Sequence, residues 1–422
     1  MINDNSLQGL PGEEVGPYAV LHNRDFLFYL IGRFVASFGS QMITVAVGWE
    51  LYGRTHSSLA LGFVGLTQIV PMIAMTLPSG YVADNYNRKK VILNMQVLLC
   101  LSSLGLALTS TLRGEVIWIY CCLFAAGTAR TFLWSASASF LPSLVSRENF
   151  PKAVAWSASS FQFSAVAGPA LGGALIALTH RAVVVYLFNS FAAALCFTLI
   201  YFVKTQHKVA VKQKISLKGL LAGFHFVFHT KIIFGILTLD LFAVLLGGAT
   251  ALLPVYAQDI LRVGPGGLGL LEAALAGGSL LCALILAHLP PLKKAGPTLL
   301  WAVVGFGLAT IAFGFSRSFW FSFAMLFLCG FLDNVSVIVR HTLVQLLTPD
   351  EMRGRVSAVN NLFIGTSNEL GGTESGVVSH FFGPIFAVVS GGIGTIIAVG
   401  AIALAWPQIR KYGRLGSEKV EN

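Results

Sequence analysis

Gly80-Tyr-Val-Ala-Asp-Asn-Tyr-Asn-Arg-Lys-Lys90 decides how this chain is read. It follows an apolar stretch, 59–82, that is long enough to cross a bilayer. Its pattern is G-x-x-A-D-x-x-x-R-K-x, a short polar loop that turns one membrane helix into the next. The glycine lets two helices approach closely. The acid and the bases that follow it hold the turn on the side of the membrane where positive charge is retained.

The rest of the composition agrees with a membrane setting. The chain is 55% hydrophobic and only 11% charged, whereas soluble domains run at about 25% charged. Apolar blocks of about 20 residues recur, the length that spans about 30 Å of hydrocarbon. They predict an all-α membrane protein with twelve spans, at 26–52, 59–82, 90–112, 116–138, 152–178, 182–203, 232–257, 265–289, 297–316, 318–346, 356–380 and 384–406. Of the 28 Lys and Arg residues, 20 fall in loops and tails on the side of the termini, five in the opposite loops and three inside spans. That bias predicts cytoplasmic termini. The net charge of +10 therefore orients the protein and requires no nucleic acid. The first 25 residues lack the basic start and small-residue cleavage site of a signal peptide. The six cysteines match no metal-site spacing and read as inert buried thiols. No phosphate-cradling G-x-x-x-x-G-K-[ST] loop is present. No cofactor or metal is expected, and no clustered nucleophile and base suggests an enzyme.

These blocks divide the chain into an N-terminal tail (1–25), a six-helix bundle (26–203), a basic linker (204–231), a second six-helix bundle (232–406) and a C-terminal tail (407–422). Within the linker, Leu220 to His229 has the amphipathic character of a helix lying at the membrane surface. The two bundles look related at an offset of 202. Ser143–Val154 after span 4 matches Gln345–Val356 after span 10, and Gly168-Pro-Ala-Leu-Gly-Gly173 falls on Leu370-Gly-Gly-Thr-Glu-Ser375.

The Gly80–Lys90 loop resembles the signature between helices 2 and 3 of the major facilitator superfamily of secondary transporters. Gly168-Pro169-Ala-Leu-Gly172-Gly173 resembles the helix 5 motif of the superfamily's exporters. Further strings are similar to the enterobactin-exporter and macrolide-efflux group: Arg33, Gly48-Trp-Glu-Leu-Tyr52, Gln68-Ile-Val-Pro71, Arg130-Thr-Phe132, Thr348–Val356 and Gly365–Gly376. The resemblance covers nearly the whole chain. It implies two pseudo-symmetric six-helix bundles, a monomer, a bacterial inner-membrane location, and export of a small amphipathic molecule such as a siderophore or drug against protons. An uptake carrier or a lysolipid transporter of the same fold remains the alternative.

A charge at mid-bilayer costs about 2.5–3.5 kcal/mol and survives where it meets water, a partner or a substrate. Arg33, Arg130, Asp240, Glu272, Asp333, Arg340, Glu369 and Glu374 lie inside spans. By the resemblance, spans 1, 4, 7 and 10 line a central cavity. Arg130, Asp333 and Glu369 sit near mid-span, so Asp333, Glu369 or Asp240 is the expected protonation site and Arg130 its competing partner. Asp333 and Arg340, seven residues apart on one helix face, could instead form a permanent link within one half. Arg33, Arg340, Trp49 and Phe132 are expected on the cavity wall, where the arginines would suit an anion and the aromatics a ring. Glu272 and Glu374, nearer the span ends, read as structural. The resemblance implies that Gly80, Asp84 and Arg88 gate the carrier by docking on helix 11, and that Gly168, Pro169, Gly172 and Gly173 form an occluding hinge. The plainer readings are a solvated loop and ordinary small-residue packing.

Overall fold

A computed structural model describes residues 18–204, 217–290, 294–349 and 352–413. Residues 1–17 of the N-terminal tail, 205–216 of the basic linker, 291–293, 350–351 and the last nine residues lie outside the described residues. Twelve long helical segments follow one another: α1 (Arg24–Thr55), α2 (Ser58–Asn85), α3 (Arg88–Thr111), α4 (Val116–Phe140), α5 (Phe150–Thr179), α6 (Val183–Phe202), α7 (Lys231–Leu246), α8 (Gly264–His288), α9 (Ala295–Phe315), α10 (Phe319–Leu347), α11 (Arg353–Phe382) and α12 (Pro384–Ala405). All but α11 are long and apolar enough to cross a membrane, α7 doing so together with the irregular stretch up to Ile260. α11 has the length, 30 residues, but carries Asn360, Ser367, Glu369, Thr373 and Glu374 along it.

Local chemistry sets the helix ends. The Asn23 side chain accepts from the amides of Asp25 and Phe26 at the start of α1, and Asn87 accepts from Lys90 N–H at the start of α3. Such caps satisfy amides that the helix itself leaves unpaired. At the end away from the termini, four tight turns each carry a non-glycine residue in the left-handed region: His56 (φ 47°), Arg113 (50°), His180 (56°) and Arg262 (54°). The predicted seventh span is not one helix. α7 stops at Leu246, and Gly247-Gly248 and Pro254 lead through short turns into a five-residue π-helical turn, Tyr256–Ile260. The amphipathic linker segment forms the helix Leu217–His229, whose Val227 is buried against Val356 and Val359 of α11.

Each half repeats the same five pairings. The first helix packs on the fifth and sixth, the second on the fourth, and the third on the fourth and sixth, as α1–α6 and again as α7–α12. Two seams join the halves, α5 with α8 and α2 with α11, and the six-helix shift exchanges one for the other. Glycines make both possible. A Cβ on Gly173 would come within 2.9 Å of the Gly269 Cα in α8, and one on Gly376 within 2.6 Å of the Gly62 Cα in α2. Gly168 meets α1, where a Cβ would lie 2.7 Å from Gln41 Cβ, and Gly371 meets α7, 2.6 Å from the Val244 carbonyl oxygen. These equivalent roles pair Gly168 with Gly371 and Gly173 with Gly376. The structural repeat thus runs one residue beyond the offset read from the sequence.

The halves meet at the end away from the termini and part at the other. The largest hydrophobic cluster combines Met42, Leu61, Leu123 and Ile176 of the first half with Leu252, Tyr256, Leu268 and Phe313 of the second. Towards the termini the cores are separate. Tyr29, Ile92, Phe140 and Ile200 form one, and Ile236, Leu299, Val339 and Val399 another. At the closed end Tyr52 Oη donates to Asp259, and Gln258 Nε2 donates to the Trp49 carbonyl at 3.0 Å. At the open end a Cβ on Gly80 or Gly354 would meet nothing within 4 Å.

Candidate functional site: the central cavity

Between the halves, above the closed end, lies a cavity of about 460 Å³. α1 contributes Ser40, Gln41 and Thr44, spaced at three and four residues so that their side chains share one helix face. α2 adds Gln68, α4 adds Arg130, and the broken end of the seventh span adds Thr250. α8 adds Glu272, and α11 adds Asn368 and Glu369. The apolar wall is aliphatic, with Ile43, Val64, Leu123, Leu253 and Leu275 and, among the described residues, no aromatic side chain. Ala165 and Pro169 of α5 also face it. Pro169 has no N–H for the Ala165 carbonyl, and beside a cavity water can satisfy that carbonyl where lipid could not.

Two of the mid-span charges come together here. Arg130 of α4 and Glu369 of α11 line the same cavity from opposite halves and lie within electrostatic reach of each other. Arg130 is exposed although it sits deep in the helix bundle, because the cavity admits solvent. Glu369 stands beside the α2–α11 seam, where its carbonyl crowds Gly65 and where Thr373 Oγ1 donates to the Gly62 carbonyl at 3.1 Å.

Other expected residues lie elsewhere. Arg340 does not reach the cavity wall. It is 2% exposed and forms an ion pair with Asp240, itself 5% exposed, within the second half. The arginine placed seven residues after Asp333 therefore pairs across α7 and α10 and not along its own helix. Asp333 is half-buried near the Cys282 and Cys329 thiols and does not line the cavity, and no residue of α10 does. Arg33 is half-buried beside Cys196 of α6, outside the cavity lining. Trp49 packs into the core of the closed end, and Phe132 into that of the first half. Both are interior packing, so the expected aromatic wall is absent from this cavity.

The Gly80–Lys90 loop lies at the parted end. Asp84 is exposed. Arg88 stays within its own half, donating to the carbonyls of Ala83 (3.2 Å) and Ser139 (2.8 Å) and tying the α2–α3 turn to the end of α4. In the helix 5 motif, Gly168 and Gly172 face α1 while Gly173 faces α8. Sequence reasoning missed Glu272 as a cavity residue, along with Gln41, Gln68 and Asn368. The spacing Ser40, Gln41, Thr44 was the available signal.

A membrane-embedded cavity held between two exchangeable six-helix halves, open at one end and closed at the other, defines an alternating-access carrier. The superfamily comparison agrees, because the sequence profile of the Major Facilitator Superfamily matches residues 29–372. The chain belongs to that superfamily and is a multi-pass membrane transporter, not an enzyme. It is 26% identical over 390 residues to the enterobactin exporter EntS of Escherichia coli O1:K1, covering 92% of this chain and 93% of that one. EntS of Shigella boydii serotype 18 matches to the same extent. Among solved structures, a bacterial homologue of the human lysosomal transporter Spinster, inward-facing and occupied, superimposes with a TM-score of 0.72 at 12% identity, covering 92% of this chain and 98% of that one. The nucleoside transporter NupG does so with a TM-score of 0.70 at 13% identity, covering 92% and 99%. These two likenesses concern the fold alone.

Proposed function

We propose that this chain exports a small amphipathic molecule, of the siderophore or drug type, in exchange for protons. It works in a bacterial inner membrane, as a monomer with both termini cytoplasmic. The observation that carries the coupling is the meeting of Arg130 and Glu369, from opposite halves, in one cavity. A proton taken up by Glu369 cancels its attraction for Arg130, which is one attraction between the halves. Loss of the proton restores it. Titration is thereby linked to how the halves sit, which is what coupling requires. The driving force is sufficient, at ~2.3 kcal/mol per charge per 100 mV plus ~1.4 kcal/mol per pH unit.

Two further features support the reading. The 20-to-5 distribution of basic residues supports an open end that faces the cytoplasm, with the cavity ready to load from inside. The enterobactin exporters align along nearly the whole chain, which supports export of a molecule of that size class.

The test uses purified protein in liposomes with an imposed pH gradient, offering a catecholate siderophore and a lipophilic cationic drug in parallel. The native chain is expected to move one of them with the gradient. Glu369→Gln is expected to lose at least tenfold in gradient-driven rate while still exchanging substrate across the membrane. Movement that ignores the gradient, or that Glu369→Gln leaves unchanged, overturns the coupling.

A further inference from the structure

The cavity does not balance its charges. Arg130 has Glu369 within electrostatic reach, but Glu272 stands in the same lining without a counter-charge. Among the described residues it makes no hydrogen bond or ion pair, although it lies eight residues into α8, between two contacts that fix that helix against α5. One is the close approach of Gly173 and Gly269. The other is the hydrogen bond from Gln162 Nε2 to the Ala276 carbonyl at 3.2 Å. The backbone that carries Glu272 is therefore held firmly, while its carboxyl group is left free in the cavity. An unpaired carboxylate in a membrane interior is expensive and is a functional residue by default.

The arginines that would have favoured an anion are not available there. Arg340 is committed to Asp240 inside the second half, and Arg33 lies outside the lining. Two acidic side chains thus face a single arginine in a pocket whose remaining polar groups are neutral amides and hydroxyls.

We propose that Glu272 recognises a positive centre on the substrate, so that the carrier selects lipophilic cations over anions of the same size and shape. This rests on the reading of the chain as an exporter of small amphipathic molecules, and it chooses the cationic drug-like class within it. The aliphatic wall supplies non-directional contact for the rest of the molecule, and the carboxylate supplies the selection. Attraction to a fixed charge in a site of low dielectric is stronger than in water, so one unpaired carboxylate is enough to discriminate between ions. Glu369 remains the group that answers Arg130, and the two acids divide the work between substrate and proton.

The experiment measures equilibrium binding of tetraphenylphosphonium and tetraphenylborate to the purified protein without any gradient. The two ions have nearly the same shape and opposite charge. Native protein is expected to bind the phosphonium saturably and at least tenfold more tightly than the borate. Glu272→Gln is expected to lose that tenfold, and Glu272→Asp, which keeps the charge, to retain the preference. All three proteins are compared as monodisperse samples of equal melting temperature. Equal binding of the two ions, a preference for the borate, no saturable phosphonium binding, or a Glu272→Gln protein that binds like the native one overturns the proposal. The proton-coupled reading stands or falls separately, on gradient-driven movement and on Glu369→Gln.

Discussion

The two halves of this carrier use one packing plan and two charge plans. Their five internal pairings and their glycine seams are interchangeable. Their buried charges are not. The first half brings Arg130 to the cavity, and its Glu50 is tied to Arg54 at the helix end. The second half brings Glu272 and Glu369 to the cavity and seals a complete ion pair, Asp240–Arg340, inside itself. Symmetric packing makes the two seams between the halves equivalent. On the proposed reading, asymmetric charge sets which ligands and protons bias the carrier. Substitutions that separate packing from charge test this division directly.

The largest effect is expected at Asp240–Arg340. Both side chains are almost fully buried, and Asp240 Oδ2 and Arg340 Nε have no hydrogen-bond partner among the described residues. Arg340→Met would leave a carboxylate in the interior with nothing opposite it, at a cost of about 3–5 kcal/mol. The double variant Asp240→Leu/Arg340→Met removes both charges and is expected to lie within about 1 kcal/mol of the native protein, because a buried ion pair returns little beyond its own desolvation cost. Melting in detergent checks both. If the single and double variants melt alike, the pair does not hold α7 to α10, and the contrast between the halves loses its structural side.

Next come the glycine seams. Gly376→Val would push a side chain into Gly62 and the Ser58 carbonyl, and Gly173→Val into Gly269. Overpacking of this kind costs about 1–3 kcal/mol, here charged to the arrangement closed at this end. Each variant is expected to raise the reactivity of cysteines placed along the cavity towards reagents added from the closed side. The two should do so to a similar degree, since the seams are equivalent. Gly80→Val is the control at the other end. It meets nothing within 4 Å here, so melting is expected to be unchanged, while transport falls because the parted ends must later meet. Unequal responses of Gly173→Val and Gly376→Val would show that the seams, though alike in contact, differ in strain.

How much was legible in advance follows from the same division. The spans could be read because apolar length is a one-dimensional signal, and α11 could be found although its polar residues dilute that signal, since it repeats the pattern of α5. The break after Leu246 was missed because Gly247-Gly248 and Pro254 sit inside an uninterrupted apolar run. Arg130 and Glu369 were recognisable from their depth. The partner of Arg340 was not, because helix spacing shows which residues share a face and cannot show which helix that face meets. Glu272 lies near a span end, where a charge reads as structural. The closed end holds the cavity floor, so that depth is where the cavity is deepest.

The smallest effect is expected at the polar clasp of the closed end. Tyr52 is buried, and its hydroxyl donates to the carboxylate of Asp259, which is exposed. Tyr52→Phe keeps the ring in the core and removes only this bond between the halves. A hydrogen bond to a charged acceptor contributes about 1.5–3 kcal/mol when buried, and solvent at Asp259 reduces that to about 1 kcal/mol. The glycine seams and the shared hydrophobic cluster remain, so the closed end still forms. A loss of ~1 kcal/mol is a factor of about five in the ratio of closed to open forms. Cavity cysteines should therefore react about fivefold faster from the closed side, with melting almost unchanged. A far larger increase would make the clasp, and not the seams, the lock on this end, and would move the control of closure from symmetric packing to charge.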